Sequence, residues 1–250
     1  GINAEYGICS APVENKFVET VQNNSFETYD QLIQAIRELN VSKMQTIVSV
    51  DFSVSNGKLH DISPQNPYIK SINLLSPILS KFENELYGYQ LNSESDDQII
   101  VPLAKNEKID SFEELINSYS QAPKNIKNGS TTFKQTISKA IELQKESVLT
   151  LCVIITNNIT SNFEQDIHMI EQSSNNPIMI ITIGVGNSNF GLFNRFQDNL
   201  HGKYNNFQFF SFNEIEANSR QFDNPEQAMT LSILSQIPDC IKTMEQLNLL

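Results

Sequence analysis

The sequence predicts an α/β fold: a doubly wound, mostly parallel six-stranded sheet with one antiparallel edge strand. Three observations predict it. Apolar runs dense in Val and Ile at residues 46–52, 149–156 and 177–185 lack the alternation of a solvent-facing strand, which marks strands covered on both faces. Stretches with apolar residues at helical spacing lie between such runs, the order of strands and crossover helices in a parallel sheet. The first run also ends in a carboxylate followed by hydroxyls, at the strand end where open α/β sheets gather their ligands.

Taken in chain order, residues 1–24 have weak periodicity and read as an N-terminal extension to a single domain over 25–250. Tyr29, Leu32, Ile33, Ile36 and Leu39 recur at helical spacing behind a Thr28 cap, which predicts a helix over 28–39. The strand at 46–52 follows. A second helix begins at Pro67, a residue suited to the first helical position, and carries Tyr68, Ile72, Leu75, Ile78, Leu79 and Phe82 on one side. Residues 86–91 and 98–103 are two short strand candidates spaced for an antiparallel pair at the sheet edge. Helices are expected over 111–120, with Ser111 and Glu114 at capping-box spacing, and over 132–146. Two central strands at 149–156 and 177–185, a last strand at 207–212 and an amphipathic segment over 225–247, broken at Pro238, complete the order. Residues 213–224 read as a mobile surface loop.

The formal charge of -12 arises from 29 acidic against 17 basic residues, with Lys and Arg scattered along the chain, so nucleic acid and anionic membranes are not expected partners. Cys9, Cys152 and Cys240 are too far apart for a zinc-type spacing and fit a reducing setting. No apolar run approaches the length of a membrane span, and Glu5 stands where a myristoylation signal wants Ser or Thr, so neither membrane insertion nor a lipid anchor is expected. A cytoplasmic protein, in one reading associated with the cytoskeleton, is the expectation.

Alternation along an extended chain points Asp51, Ser53 and Ser55 to one side, where a carboxylate and two hydroxyls can converge on a small hard cation such as magnesium. Taken alone, the same residues serve equally as turn and capping groups after a strand.

Residues 47–57, IVSVDFSVSNG, resemble the copine version of the metal-ion-dependent adhesion site (MIDAS) of von Willebrand factor A domains. Leu59-His60, Asn66-Pro67-Tyr68, Gly129-Ser130-Thr131-Thr132-Phe133, Ile183-Gly184-Val185-Gly186-Asn187, Asn206-Phe207-Gln208-Phe209 and Ile237-Pro238 extend the resemblance over about residues 25–249. It implies a von Willebrand A, Rossmann-like fold. It also implies that Ser53, Ser55 and Thr131 ligate the cation with Asp51 in or just behind that shell, and that an acidic residue of a protein partner completes the coordination. The family's aspartate after the central strand is replaced by Asn157, an uncharged ligand, so magnesium binding is expected to be weak.

Gly184-Val185-Gly186 lacks the third glycine of a dinucleotide site, Asn189 standing in its place, and His60, His168 and His201 neighbour no nucleophile elbow. The chain is therefore expected not to be an enzyme but a protein-interaction module. A metal-independent structural subunit of a larger assembly, and an adaptor linked to a ubiquitin ligase such as the copine-like RING ligases of plants, are the alternatives.

Overall fold

The computed structural model describes residues 26–92, 100–124, 132–158, 160 and 162–250, without the side chains of residues 54, 55 and 197. The expected extension over 1–24 lies outside the described residues, as does the beginning of the strand expected at 98–103.

Strand β1 (Lys43–Asp51) is buried at every position after Lys43. It lies between β2 (Glu83–Leu91) and β5 (Leu149–Thr156), parallel to both. Beyond β5 run β6 (Ile178–Gly184) and β7 (Phe207–Ser211), again parallel. Two short antiparallel strands, β3 (Val101–Pro102) and β4 (Lys108–Ile109), pair with β2 at the other side. The order is β3-β2-β1-β5-β6-β7, with β4 also on β2. All of β5 and β6 is buried, which accounts for their unbroken Val and Ile content. The predicted antiparallel pair is present, and the edge carries β4 in addition.

Helices cover both faces, as the predicted periodicity requires. Helix α1 (Tyr29–Glu38) is capped by Thr28, whose hydroxyl accepts from the Gln31 N–H at 3.2 Å, and buries Leu32, Ile33 and Ile36. Helix α2 (Pro67–Leu79) starts at Pro67 behind Asn66, whose Oδ1 accepts from the Ile69 N–H at 2.9 Å. Helix α3 (Phe112–Gln121) begins behind Ser111, with Glu114 N–H donating to its hydroxyl and the Glu114 carboxylate accepting from Asp110 N–H. Helices α4 (Lys134–Leu143) and α5 (Phe163–Ser173) pack against each other, and α6 (Asn194–Asn199) is a short turn before β7.

Residues 213–224 are not the expected loop. Most of them form helix α7 (Phe212–Ser219), because Ser211 caps it at the strand end and Phe212, Ile215 and Ser219 are buried on one side. The final segment divides into α8 (Pro225–Leu234) and α9 (Ile237–Gln246), with Pro238 in the first turn of the second helix, where its missing N–H costs nothing.

Parallel registers bring three strand ends level. Asp51 pairs with Leu91, and Val50 with Ile155, so the residues that follow all emerge at one edge of the sheet. Phe52 N–H then donates to Leu91 O and Val185 N–H to Thr156 O, each at 2.8 Å, which extends the alignment past the strands.

Candidate functional site

Asp51, at the end of β1, is fully buried. Its Oδ1 accepts from Ser53 N–H at 2.8 Å and from Asn92 Nδ2 at 3.4 Å, and its Oδ2 accepts from Thr156 Oγ1 at 2.5 Å. A buried carboxylate is costly unless donors surround it, and here they come from three strand ends. Burial raises its pKa above the usual carboxylate range, and the donors from Thr156, Ser53 and Asn92 oppose that rise.

A second layer holds the backbone after Asp51. Val54–His60 forms a 3₁₀ helix that turns at Gly57, whose φ of 53° is available to glycine at no steric cost. Asn56 Nδ2 donates to Asp51 O and Ser53 O, both at 2.9 Å, and its Oδ1 accepts from the Tyr68 hydroxyl. His60 Nε2 lies 2.9 Å from Asp51 O, which makes it the protonated nitrogen, and Nδ1 accepts from Tyr119 OH at 2.7 Å. Tyr119 OH accepts in turn from Asn66 Nδ2 at 3.1 Å. Desolvation lowers the His60 pKa to about 4, assisted by the nearby Lys124 charge, so the imidazole is neutral. The His60 and Tyr68 rings stack at 4.6 Å.

A third group of residues reaches the site from α4 and α5. Asn92 follows β2 with a φ of 58°, a left-handed conformation that asparagine tolerates better than most residues. Its Oδ1 accepts from Thr132 N–H at 3.2 Å while its Nδ2 faces Asp51, so one amide joins the two segments. Thr132 Oγ1 donates to Asp166 Oδ1 at 2.8 Å, and Phe133 N–H to Asp166 Oδ2 at 3.0 Å. Asp166 is fully buried and its pKa is raised by desolvation, against the hydrogen bonds from Thr160, Phe133 and Thr132.

The fate of each expected site residue follows. Asp51 and Ser53 lie together, both buried. Asn157 is buried and sits directly after Thr156, whose hydroxyl donates to Asp51 and accepts from Asn158 N–H at 3.1 Å, so β5 delivers it to the same edge. Ser55 belongs to the 3₁₀ turn, but its side chain lies outside the described residues, as does the whole of Thr131. Among the described residues no three His, Cys, Asp or Glu side chains gather to hold a metal. The residue types still suit a hard cation: Ser53, whose N–H is bound to Asp51, and Asn157, which follows the Thr156 that donates to Asp51, both carry neutral side-chain oxygens. Sequence reasoning missed Asn92, Thr132, Thr156 and Asp166. Thr156 and Thr132 carried a signal, each standing directly beside an expected ligand, Asn157 or Thr131.

Solved structures share the fold. Manganese-loaded TRAP protein of Plasmodium vivax superposes with a TM-score of 0.52 at 17% identity, covering 72% of each chain. At that identity the likeness establishes the von Willebrand A type doubly wound architecture alone.

Among curated proteins, copine family protein 2 of Caenorhabditis elegans is 28% identical over 248 residues, 90% of this chain and 3% of that much longer protein. The E3 ubiquitin-protein ligase RGLG3 of Arabidopsis thaliana is 26% identical over 254 residues, 89% of this chain and 69% of the ligase. This finding corrects the expectation that the chain is not an enzyme, since its sequence matches the larger part of one. The expectation rested on the lack of a nucleophile and base in one domain, and an interaction domain carries no such pair even where it is part of an enzyme. The copine family model matches residues 58–250, more than three quarters of the sequence and all of the fold after the turn that follows Asp51. The chain belongs to the copine family.

Proposed function

We propose that this domain is a protein-interaction module whose partner site lies at the sheet edge formed by the ends of β1, β2 and β5. The observation that carries the reading is the arrangement around Asp51: a buried carboxylate held by Ser53, Asn92 and Thr156, with Ser53 and Asn157 in reach of the same edge. Ser53 and Asn157 would hold magnesium, joined by Ser55 and Thr131 as the family resemblance implies, with Asp51 orienting Ser53 from behind. When bound, the ion supplies a Lewis-acidic position that an acidic side chain of a partner protein can fill. Uncharged donors make that site weak, because affinity for a divalent cation rises with the number of carboxylates.

The experiment is calorimetry with magnesium on the wild type and on Asn157→Asp. The variant is expected to bind roughly ten times more tightly, as one added carboxylate close to a divalent cation should. No magnesium heat from either protein would sink the metal-gated reading.

A second reading is favoured by the match to a plant ubiquitin ligase over 69% of that protein. In it the domain recruits the proteins that a ligase modifies. Ubiquitin transfer to proteins co-purified with the chain, compared with and without the Asp51 edge disrupted, tests it: transfer that does not depend on that edge would remove the support.

A further inference from the structure

A cleft of about 480 Å³ opens at the C-terminal ends of β6 and β7, outside the residues that surround Asp51. The rings of Phe190 and Phe209 line it, 5.3 Å apart, together with Asn187, Asn189, Asn213 and Glu214. Its size is that of a binding pocket for a short segment of chain.

The two sides of the cleft are tied to each other. Asn213 Nδ2, at the start of α7, donates to Gly186 O at 3.0 Å and to Asn187 Oδ1 at 3.1 Å in the loop after β6. Gly186 has a φ of +79°, and a β-carbon there would stand 3.0 Å from Leu59 Cδ1, so the loop is packed against the 3₁₀ turn of the Asp51 site. Asn189 Oδ1 accepts from Gly191 N–H at 2.9 Å. Each of these bonds uses one end of an amide. The opposite ends, Nδ2 of Asn187 and of Asn189 and Oδ1 of Asn213, have no protein partner among the described residues and are exposed.

An amide side chain offers a donor or acceptor spaced like those of a peptide bond, so a set of amides with fixed orientation suits an extended main chain. Among the described residues that line the cleft, Glu214 is the only charged one and none is Lys or Arg, which disfavours phosphate and other anions. The formal charge of -12 on the chain adds a field of the same sign.

We propose that this cleft binds an extended basic segment of a partner protein, with Asn187, Asn189 and Asn213 pairing to its main chain, Glu214 to a Lys or Arg, and the half-buried Phe190 ring, backed by the buried Phe209, packing an apolar side chain. The inference rests on the reading of the domain as a protein-interaction module but needs no metal, and it expects a basic segment where the Asp51 edge expects an acidic one.

The test is selection of a randomised library of N-acetylated, C-amidated octapeptides on the immobilised chain. The enriched peptides are then titrated by fluorescence polarisation against the wild type, Asn213→Ala, Glu214→Gln and Glu214→Lys, each in magnesium and in EDTA. Expected are peptides with one fixed Lys or Arg, bound equally in both buffers, weakened roughly tenfold by Glu214→Gln, as loss of a charge-assisted bond should do. Glu214→Lys should select acidic peptides instead; both substitutions are at an exposed position and leave the core intact. Enrichment of acidic peptides that EDTA abolishes and Glu214→Gln leaves unchanged would overturn the cleft proposal while supporting the Asp51 edge. Failure to enrich any basic peptide would overturn the proposal as well, and the magnesium calorimetry would then decide the interaction reading by itself.

Discussion

The Thr156 hydroxyl donates to Oδ2 of Asp51 at 2.5 Å, across two neighbouring strand ends and 105 residues of sequence. Neither oxygen of that buried carboxylate faces an apolar neighbour without a donor, because Ser53 N–H and Asn92 Nδ2 serve the other one. The candidate metal edge is therefore also a fold-holding contact between β1 and β5.

Thr156→Val keeps the shape of the side chain and removes the donor, leaving one carboxylate oxygen buried with less compensation. A loss of about 1–3 kcal/mol is expected, the cost of an unsatisfied buried polar group. Thr156→Ser should recover most of it. Urea unfolding of the three proteins at pH 7 checks this, and equal midpoints for wild type and Thr156→Val would show that the bond contributes nothing.

His60 predicts a dependence of stability on pH. Its folded pKa of about 4 lies below the ordinary value near 6.5, so between these values the unfolded chain binds more protons. Stability from His60 is thus fully present above about pH 6.5 and falls as the pH drops towards 4, by up to about 3 kcal/mol. The cause is local: burial of the imidazole between Phe52 and Tyr68 penalises its charged form, and the nearby Lys124 charge adds to that. Unfolding midpoints at several pH values for wild type and His60→Gln measure it. The difference between the two should shrink on acidification over that window, and parallel curves would contradict the assignment.

How much of this was legible in the sequence depended on how local the cause was. Strands β5 and β6 announced themselves by unbroken apolar content, and the Thr28 and Ser111 caps by residue type beside a periodic run. Strand β4 has two residues and α7 has a single apolar pair facing inwards, too little pattern for periodicity to register. In the site, Asp51 and Ser53 were legible from the alternation that follows a strand end, and Asn157 only through the resemblance to the copine site. Asn92 and Asp166 were not, because their roles exist only after the chain folds: Asn92 meets Asp51 from 41 residues away and Asp166 meets Thr132 from 34. Asn92 does stand just after a predicted strand, but which partner it meets there is set only by the fold.

Gly184, at the end of β6, is the next test of packing. A β-carbon there would stand 2.8 Å from Phe209 Cζ and 2.9 Å from Phe190 Cζ, the two rings that line the cleft beside it. Aromatic rings in a packed core do not yield as the tip of a flexible side chain does, so Gly184→Ala should cost about 1–3 kcal/mol by overpacking. The same shift should disturb peptide binding in the cleft without altering the edge at Asp51. Unfolding midpoints give the first effect, and an unchanged midpoint would mean that the rings move freely.

Asp166 makes the most direct prediction about the segment that begins at Thr132. Its two oxygens accept from Thr132 Oγ1 and Phe133 N–H, and Thr132 N–H is held in turn by Asn92 beside Asp51. The Phe133 ring stacks on Phe193 at 5.9 Å, which anchors the far end of the segment in the core. Asp166→Ala strips both acceptors at once and leaves two buried donors without partners, at about 2–5 kcal/mol. Asp166→Asn restores one acceptor and should cost less than half as much. Because Thr132 and Asn92 link Asp166 to Asp51, Asp166→Asn should also weaken magnesium binding in an Asn157→Asp background, although Asp166 itself is a helix residue behind the site. Calorimetry on the double variant reads that effect separately from stability, and full affinity with lowered stability would confine Asp166 to a purely structural role.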